Sequence, residues 1–431
     1  MKSCARVALA GAAVLLLTTG ACSSKSPASP TTAPVDFNER GPINLVAVKD
    51  STGQTQKELD TWNATHPNEK ATLIQLPDSS DQQRNVILQA FQTKNADYTV
   101  ISTDIIWTAE FAANGWITEL DPAPFQLEAM VPAAVEGGKY RDKLYAVPEI
   151  SQGALLYFRK DLLDAVGAQP PTTMDEVKQI CAKVKTLPQG AGVDCYGGQF
   201  NKYEGLTVNF AEAVGGSGGQ IVDAAGRPTV NTPQANQALQ WMVGAFNDGA
   251  IPRQAVTWTE DESRQAFQNG NLVFLRNWPH VYARAAKTDG SSQVAGRFDV
   301  TTLPALPGGR TGVSSLGGAN LAVSRFARNK GTAVDFIKYM TSTETMRERT
   351  VATSVAPART AIYTDPAATS QLTYLPILLE SLQTARPRPV VVKYGDFTVA
   401  IQDQVYATLQ GQKKPDQALT ELQARLDALA K

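Results

Sequence analysis

A carboxylate stands where a short apolar run stops. In TVISTDIIWTAEFAANGWITEL (99–120) the β-type residues of TVIST lead into Asp104. Trp107 and Phe111 follow four apart, Asn114-Gly115 ends that helical spacing, and Trp116 comes next. A carboxylate at a strand end can ligate a metal, move a proton, cap the following helix or accept hydrogen bonds from a polar ligand. A second such place is RNWPH, where Trp278 follows the apolar run LVFL in a proline-containing loop. An indole face packs against the C–H face of a sugar ring, and Asp, Glu, Arg and Gln supply the partners that hydroxyls need. Trp278 with such groups around it suits a neutral carbohydrate. Trp62, Trp116 and Trp241 are expected to pack in cores.

Catalytic signatures are scarce. GGSGG (215–219) fits Gly-x-Ser-x-Gly, but it follows a helical run, whereas a nucleophile elbow needs a strand before it. It reads as a flexible turn. There is no His-Glu-x-x-His and no phosphate-binding Gly-x-x-x-x-Gly-Lys-Ser/Thr. His280 has no evident nucleophile partner, and with only two histidines, His66 and His280, metal binding is not expected. A glycosidase needs only two carboxylates, so that chemistry stays open.

The elements that position these residues follow from periodicity. INLVAV, KATLIQLP and YTVIST read as strands, separated by helices that start after Gly53 and at SSDQQ. Strand and helix alternate, which is an α/β pattern with parallel strands. Near Pro148 the character changes, and the chain is expected to cross between two lobes there. PTTMDEVKQICAKVK is a helix capped by Thr172 or Thr173, and NKYEGLTVNFAEAVGG and TPQANQALQWMVGAFNDGAIP are further helices. ALTELQARLDALA closes the chain as an amphipathic helix with Leu419, Leu422 and Leu426 on one face.

Composition bounds the rest. A chain of 431 residues is natural for two lobes. Lys and Arg number 40 against 41 Asp and Glu, so no basic excess exists to neutralise phosphates, and nucleic acid is not expected as a partner. MKSCAR followed by VALAGAAVLLL reads as an export signal, too short to span a bilayer. TTGAC resembles a bacterial lipobox, with Thr19 in place of the usual Leu, and this implies lipidation of Cys22 after removal of residues 1–21. SSKSPASPTTAPVD cannot bury a core, so 22–40 is expected to be a flexible tether. In an oxidising compartment Cys181 and Cys195 are expected to pair, two free thiols being the alternative.

An ordered set of patterns carries a resemblance. TDIIWTAEFAANGW, KLYAVPEISQGALLYFRKDLL, NKYEGLTVNF, AFQNGNLVFLRNWPHVYA, LGGANLAVSR and VAPAR together resemble the extracellular solute-binding proteins of carbohydrate ABC importers. The likeness covers nearly the whole mature chain and is greatest to the trehalose/maltose-binding branch of actinobacterial lipoproteins. It implies a two-lobe, periplasmic-binding-protein-like α/β fold of type II, each lobe a mixed sheet flanked by helices. Residues 41–148 and 313–362 would form one lobe, and 149–312 and 363–431 the other, joined by a hinge that closes on the solute. It implies a monomeric, non-enzymatic protein without cofactor or metal, lipid-anchored at the extracytoplasmic face of the membrane. Its partners would be the ABC permease subunits and a carbohydrate such as trehalose, with maltose, maltooligosaccharides or another glycoside as alternatives.

The resemblance also implies site residues. Asp104, at the carboxyl end of a strand, would accept from sugar hydroxyls, or it caps the next helix. Trp278 would be the stacking platform, and Gly317 and Gly318 would offer backbone amides. Gln152 stands where relatives often have Asp or Asn, and Ala319 where some carry an aromatic. Glu204 in YEGL and Arg386 in ARPRP match positions that reach the cleft, with a surface ion pair as the alternative. Arg84 and Asp50 complete the set, and Asp50 has helix capping as its alternative. A secreted glycosidase, or a surface protein with an exposed apolar patch for a partner, would be different classes of answer.

Overall fold

A computed structural model describes residues 36–48, 52–223 and 226–430. Cys22, the leader, most of the tether and Asp50 lie outside the described residues. Ile43–Val48 (β1) pairs in parallel with Ala71–Leu76 (β2) and Val100–Asp104 (β3). Parallel neighbours need long crossovers, supplied by the helices Gln54–Thr65 and Ser80–Gln92. A small hairpin, Lys139–Tyr140 (β4) with Lys143–Leu144 (β5), precedes Ala146–Gln152 (β6). Leu155–Arg159 (β7), Asp194–Gly197 (β8), Leu272–Asn277 (β9) and Phe298–Thr301 (β10) build a second sheet in the order β10-β7-β9-β8. Ser315–Val323 (β11) and Arg386–Pro387 (β12) return to the first sheet, whose order is β12-β11-β3-β1-β2 with β6 also paired to β11.

The first crossing comes after Gln152 rather than at Pro148. Antiparallel pairing with β11 holds 149–152 in the first sheet, and Pro148, which has no N–H to give, sits where the register shifts beside Asn320. The helix Leu375–Thr384 packs against β6 as well, so the last passage between sheets also falls later than residue 362. It runs from β12 into the helix Tyr394–Leu409. The helix Glu204–Gly216 is buried on nearly every side, as its apolar circumference demands, and the helices Pro233–Asn247 and Tyr394–Leu409 cover it. Leu419, Leu422 and Leu426 are buried on one face of Pro415–Leu429.

Most tryptophans have packing roles. Trp62 stacks on His66 at 3.6 Å, Trp116 lies 5.5 Å from the Phe91 ring, and Trp241 meets Tyr196 edge-on at 6.3 Å. Arg349 joins Glu58 and Glu149 in a buried ion triad within the first lobe, at 2.7 and 2.6 Å, where it ties the helix Thr343–Thr353 to β6. Ser217 is the C-cap of the helix ending at Gly216, so GGSGG is a helix-terminating turn.

Cys181 and Cys195 form a disulfide that joins the helix Met174–Val184 to β8. Thr173 caps that helix, its hydroxyl accepting from the Glu176 N–H while the Glu176 carboxylate reaches back. The bridge closes 14 residues of chain. Replacing both cysteines by serine is expected to cost about 3 kcal/mol, because the unfolded chain regains that loop's freedom. Urea unfolding of the two proteins measures it, and an unchanged midpoint would refute the stabilising role.

Candidate functional site

A cleft of about 710 Å³ lies where elements of both sheets end. From the first sheet it receives Asp104 at the end of β3, Gln152 at the end of β6 and Gly317–Ala319 of β11. From the second lobe come Tyr203 and Glu204 at the start of a helix, the first turn of the helix Glu260–Gln268, and Trp278 just past β9.

Asp104 has the capping role that the sequence offered, and beside it an ion pair that the sequence did not pose. Its Oδ1 accepts from the Ile106 N–H at 3.3 Å, capping the 3₁₀ turn Ile105–Trp107. The same carboxylate holds the guanidinium of Arg388, with Nη2 donating to Oδ1 at 2.6 Å and Nη1 to Oδ2 at 3.2 Å. Nη1 also donates to Glu204 Oε1 at 2.7 Å. Tyr394 Oη donates to that oxygen at 2.5 Å, and Thr398 Oγ1 to Glu204 Oε2 at 2.7 Å. Burial raises the Glu204 carboxyl, and the charge of Arg388 works against the rise. Arg388 is 3% exposed and its Nε has no partner. It is therefore one cation shared by carboxylates from the two lobes, placed on the segment that crosses between them.

Trp278 is held from beneath. The Arg276 guanidinium lies 4.2 Å from its ring centroid and binds Glu212 through two bonds of 2.7 and 2.6 Å and Gln199 at 2.7 Å. Glu212 Oε1 also accepts from the Ser315 N–H at 2.9 Å, linking this platform to β11. A Cβ on Gly317 would come within 2.8 Å of the indole, so glycine is what lets the ring approach the strand. Gly318 has φ 137°, and a Cβ there would meet the Ile150 carbonyl at 2.0 Å. Both glycines line the cleft, but their residue type is demanded by the indole and by β6.

Two expected site residues are placed elsewhere. Arg386 is exposed and donates to the Gly219 carbonyl at 3.2 Å, away from the cleft. β12 stays paired to β11 through Arg386 and Pro387, and only Arg388, beyond the strand end, enters the cleft. Arg84 donates both Nε and Nη2 to the Glu110 carboxylate and packs against Gly395, so it is a strut between elements and does not line the cleft. The readings missed Arg388, Tyr203, Glu260 and His280. ARPRP offered two arginines at strand spacing with nothing local to choose between them. Tyr203 Oη donates to Glu260 Oε2 at 2.6 Å, a pairing between residues 57 apart in sequence.

His280 also lines the cleft. Burial, with Arg284 beside it, lowers its imidazole from the ordinary value to about 4. The unfolded chain takes up this proton near 6.5 and the folded chain near 4, so stability falls as pH drops between those values. The loss is expected to reach about 3 kcal/mol. Urea unfolding at pH 7 and pH 4 checks it, with His280→Gln removing that share; equal pH slopes for the two proteins would disprove it.

Among the described residues no group of three or more His, Cys, Asp or Glu is placed to hold a metal, and no helix is long and apolar enough to cross a membrane. The pattern that describes bacterial extracellular solute-binding proteins matches residues 49–347. The chain belongs to that family. This solute-binding protein is 32% identical over 398 residues to the probable ABC transporter-binding protein of Deinococcus radiodurans, covering 89% of this chain and 93% of the relative. It is 24% identical to the mannitol-binding protein of Pseudomonas aeruginosa, covering 85% of this chain and 88% of that one. The maltose-bound structure of T. maritima MalE3 superposes with a TM-score of 0.85 at 30% identity, covering 90% of this chain and 99% of the other. The two-lobe periplasmic-binding-protein-like architecture is thus shared with a sugar-loaded structure. The solute-binding protein is a binding protein and not an enzyme, which sets the glycosidase alternative aside.

Proposed function

We propose that this protein captures a glucose disaccharide or short oligosaccharide, such as trehalose or maltose, and presents it to the permease of an ABC importer. The observation that carries this reading is the cleft itself. Trp278, a half-buried indole fixed on the Arg276–Glu212 pair, shares a space of about 710 Å³ with Asp104, Gln152, Glu204 and Arg388. One apolar platform with charged hydrogen-bonding groups beside it fits a ring that has C–H faces and equatorial hydroxyls. Charge-assisted hydrogen bonds contribute about 1.5–3 kcal/mol each, so a few of them with stacking reach roughly micromolar affinity after association costs. The likeness to maltose-bound MalE3 supports a glucan, and the sequence patterns support trehalose. The lobes close on the solute about the crossings that follow β6, β10 and β12. Cys22 would carry the lipid that keeps the protein at the outer face of the membrane, and Cys22→Ser would release it from the membrane fraction.

Calorimetric titration with trehalose, maltose, maltotriose and unrelated sugars tests the reading. Stoichiometric binding of trehalose, recovered unchanged, supports the disaccharide reading. A preference for maltotriose moves the solute to longer glucans. No heat with any glucoside would sink the proposal.

A further inference from the structure

The charges in the cleft do not balance. Among the described residues its lining carries the carboxylates Asp78, Asp104, Glu204, Glu260, Asp261 and Glu262. Its lining cations are Arg284 and Arg388. Both are engaged with carboxylates of the lining. Arg388 is spent on Asp104 and Glu204, one positive charge between two negative ones, in a place nearly closed to water. Arg284 faces Asp261 at 3.1 Å, and Asp261 also takes Arg264 at 3.0 Å. His280, the remaining basic group in the lining, is neutral above about pH 4.

Glu260 and Glu262 have neutral hydrogen-bond partners in Tyr203 and Thr259 and, among the described residues, no ion pair of their own. They share the first turn of one helix, and Asp78 lies on the first-lobe side of the same cleft. A lined, low-dielectric cleft focuses such an excess on whatever enters it. We infer that the cleft selects its solute by charge, accepting a saccharide that bears an ammonium group alongside neutral ones and refusing one that bears a carboxylate or phosphate. An amine would meet opposite charge from the lining carboxylates, Asp78 and Glu260 among them. An anion would meet an excess of like charge. This rests on the saccharide reading above and narrows it to a substrate class, neutral and amino glycosides.

The test uses three forms of one sugar: maltose, maltose with one hydroxyl replaced by an amine, and maltose with one hydroxymethyl oxidised to carboxylate. Each is titrated at neutral pH in low and in high salt. The amino form is expected to bind at least about 100-fold tighter than the carboxylate form at low salt, with the ratio shrinking as salt screens the field. Asp78→Asn combined with Glu260→Gln should narrow that ratio several-fold, with an unchanged melting temperature showing that the fold is intact. Maltose binding with amino and carboxylate forms within threefold of one another would overturn charge selection and leave the saccharide reading standing. Binding of none of the three would overturn both.

Discussion

Arg388→Met is expected to destabilise the protein by about 3–5 kcal/mol, because it leaves the buried Glu204 and the half-buried Asp104 near each other without their shared cation. Methionine keeps much of the length and apolar bulk of the arginine stem, so the loss reports the charge. Urea unfolding at neutral pH measures it. The companion triple variant, with Asp104→Asn and Glu204→Gln added, should recover most of the stability, since neutral partners leave no unpaired charge in the interior. Lowering the pH should also rescue the single variant, because burial already raises the Glu204 carboxyl and removal of Arg388 raises it further. A single variant as stable as the parent would show that Arg388 is not the keystone of this network. Affinity for the solute should fall with the single variant too, because Arg388 holds both carboxylates in place from the crossing segment.

The second large effect is on binding. Trp278→Ala is expected to weaken saccharide binding by about 30- to 100-fold, the loss typical of an aromatic anchor in a desolvated pocket. The fold should survive, since the indole is only half-buried and Arg276 keeps its bonds to Glu212 and Gln199. Trp278→Phe should restore part of the affinity through a smaller face, which separates stacking from a general loosening of the site. Calorimetry on the three proteins gives the ratios, and melting temperatures show whether the platform beneath has moved. Equal affinity in the alanine variant would remove Trp278 from the site. Glu212 offers a further check on how the platform is built. It accepts from Arg276 under the ring and from the Ser315 N–H at the start of β11, so one carboxylate touches both the aromatic platform and the strand bearing Gly317.

Much of the local structure was legible because it is written in short-range periodicity. β1, β2, the helix between them, the capped helix at Thr173 and the apolar face of the last helix all follow from patterns a few residues long. The place of Asp104 at a strand end was legible for the same reason, since it marks where an apolar strand stops. The roles of Gly317 and Gly318 were less so. Their type was visible, but what requires it is an indole some 40 residues earlier and a carbonyl on β6, both brought there by tertiary packing.

What the sequence determined by itself is an α/β chain of alternating strands and helices, long enough for two lobes, with two cysteines close in sequence and carboxylate and aromatic groups at strand ends. The tertiary structure alone decided which of those groups meet. Arg386 and Arg388 are chemically identical and stand in one motif, and only the pairing of β12 with β11 sends the second into the cleft. Arg84 looked available until the fold set Glu110 against it. Tyr203 with Glu260, and Asp104 with Glu204 through Arg388, are contacts across tens to hundreds of residues. Such pairs carry no local signal, because strand register and lobe placement, rather than neighbouring residues, set the distance between their charges.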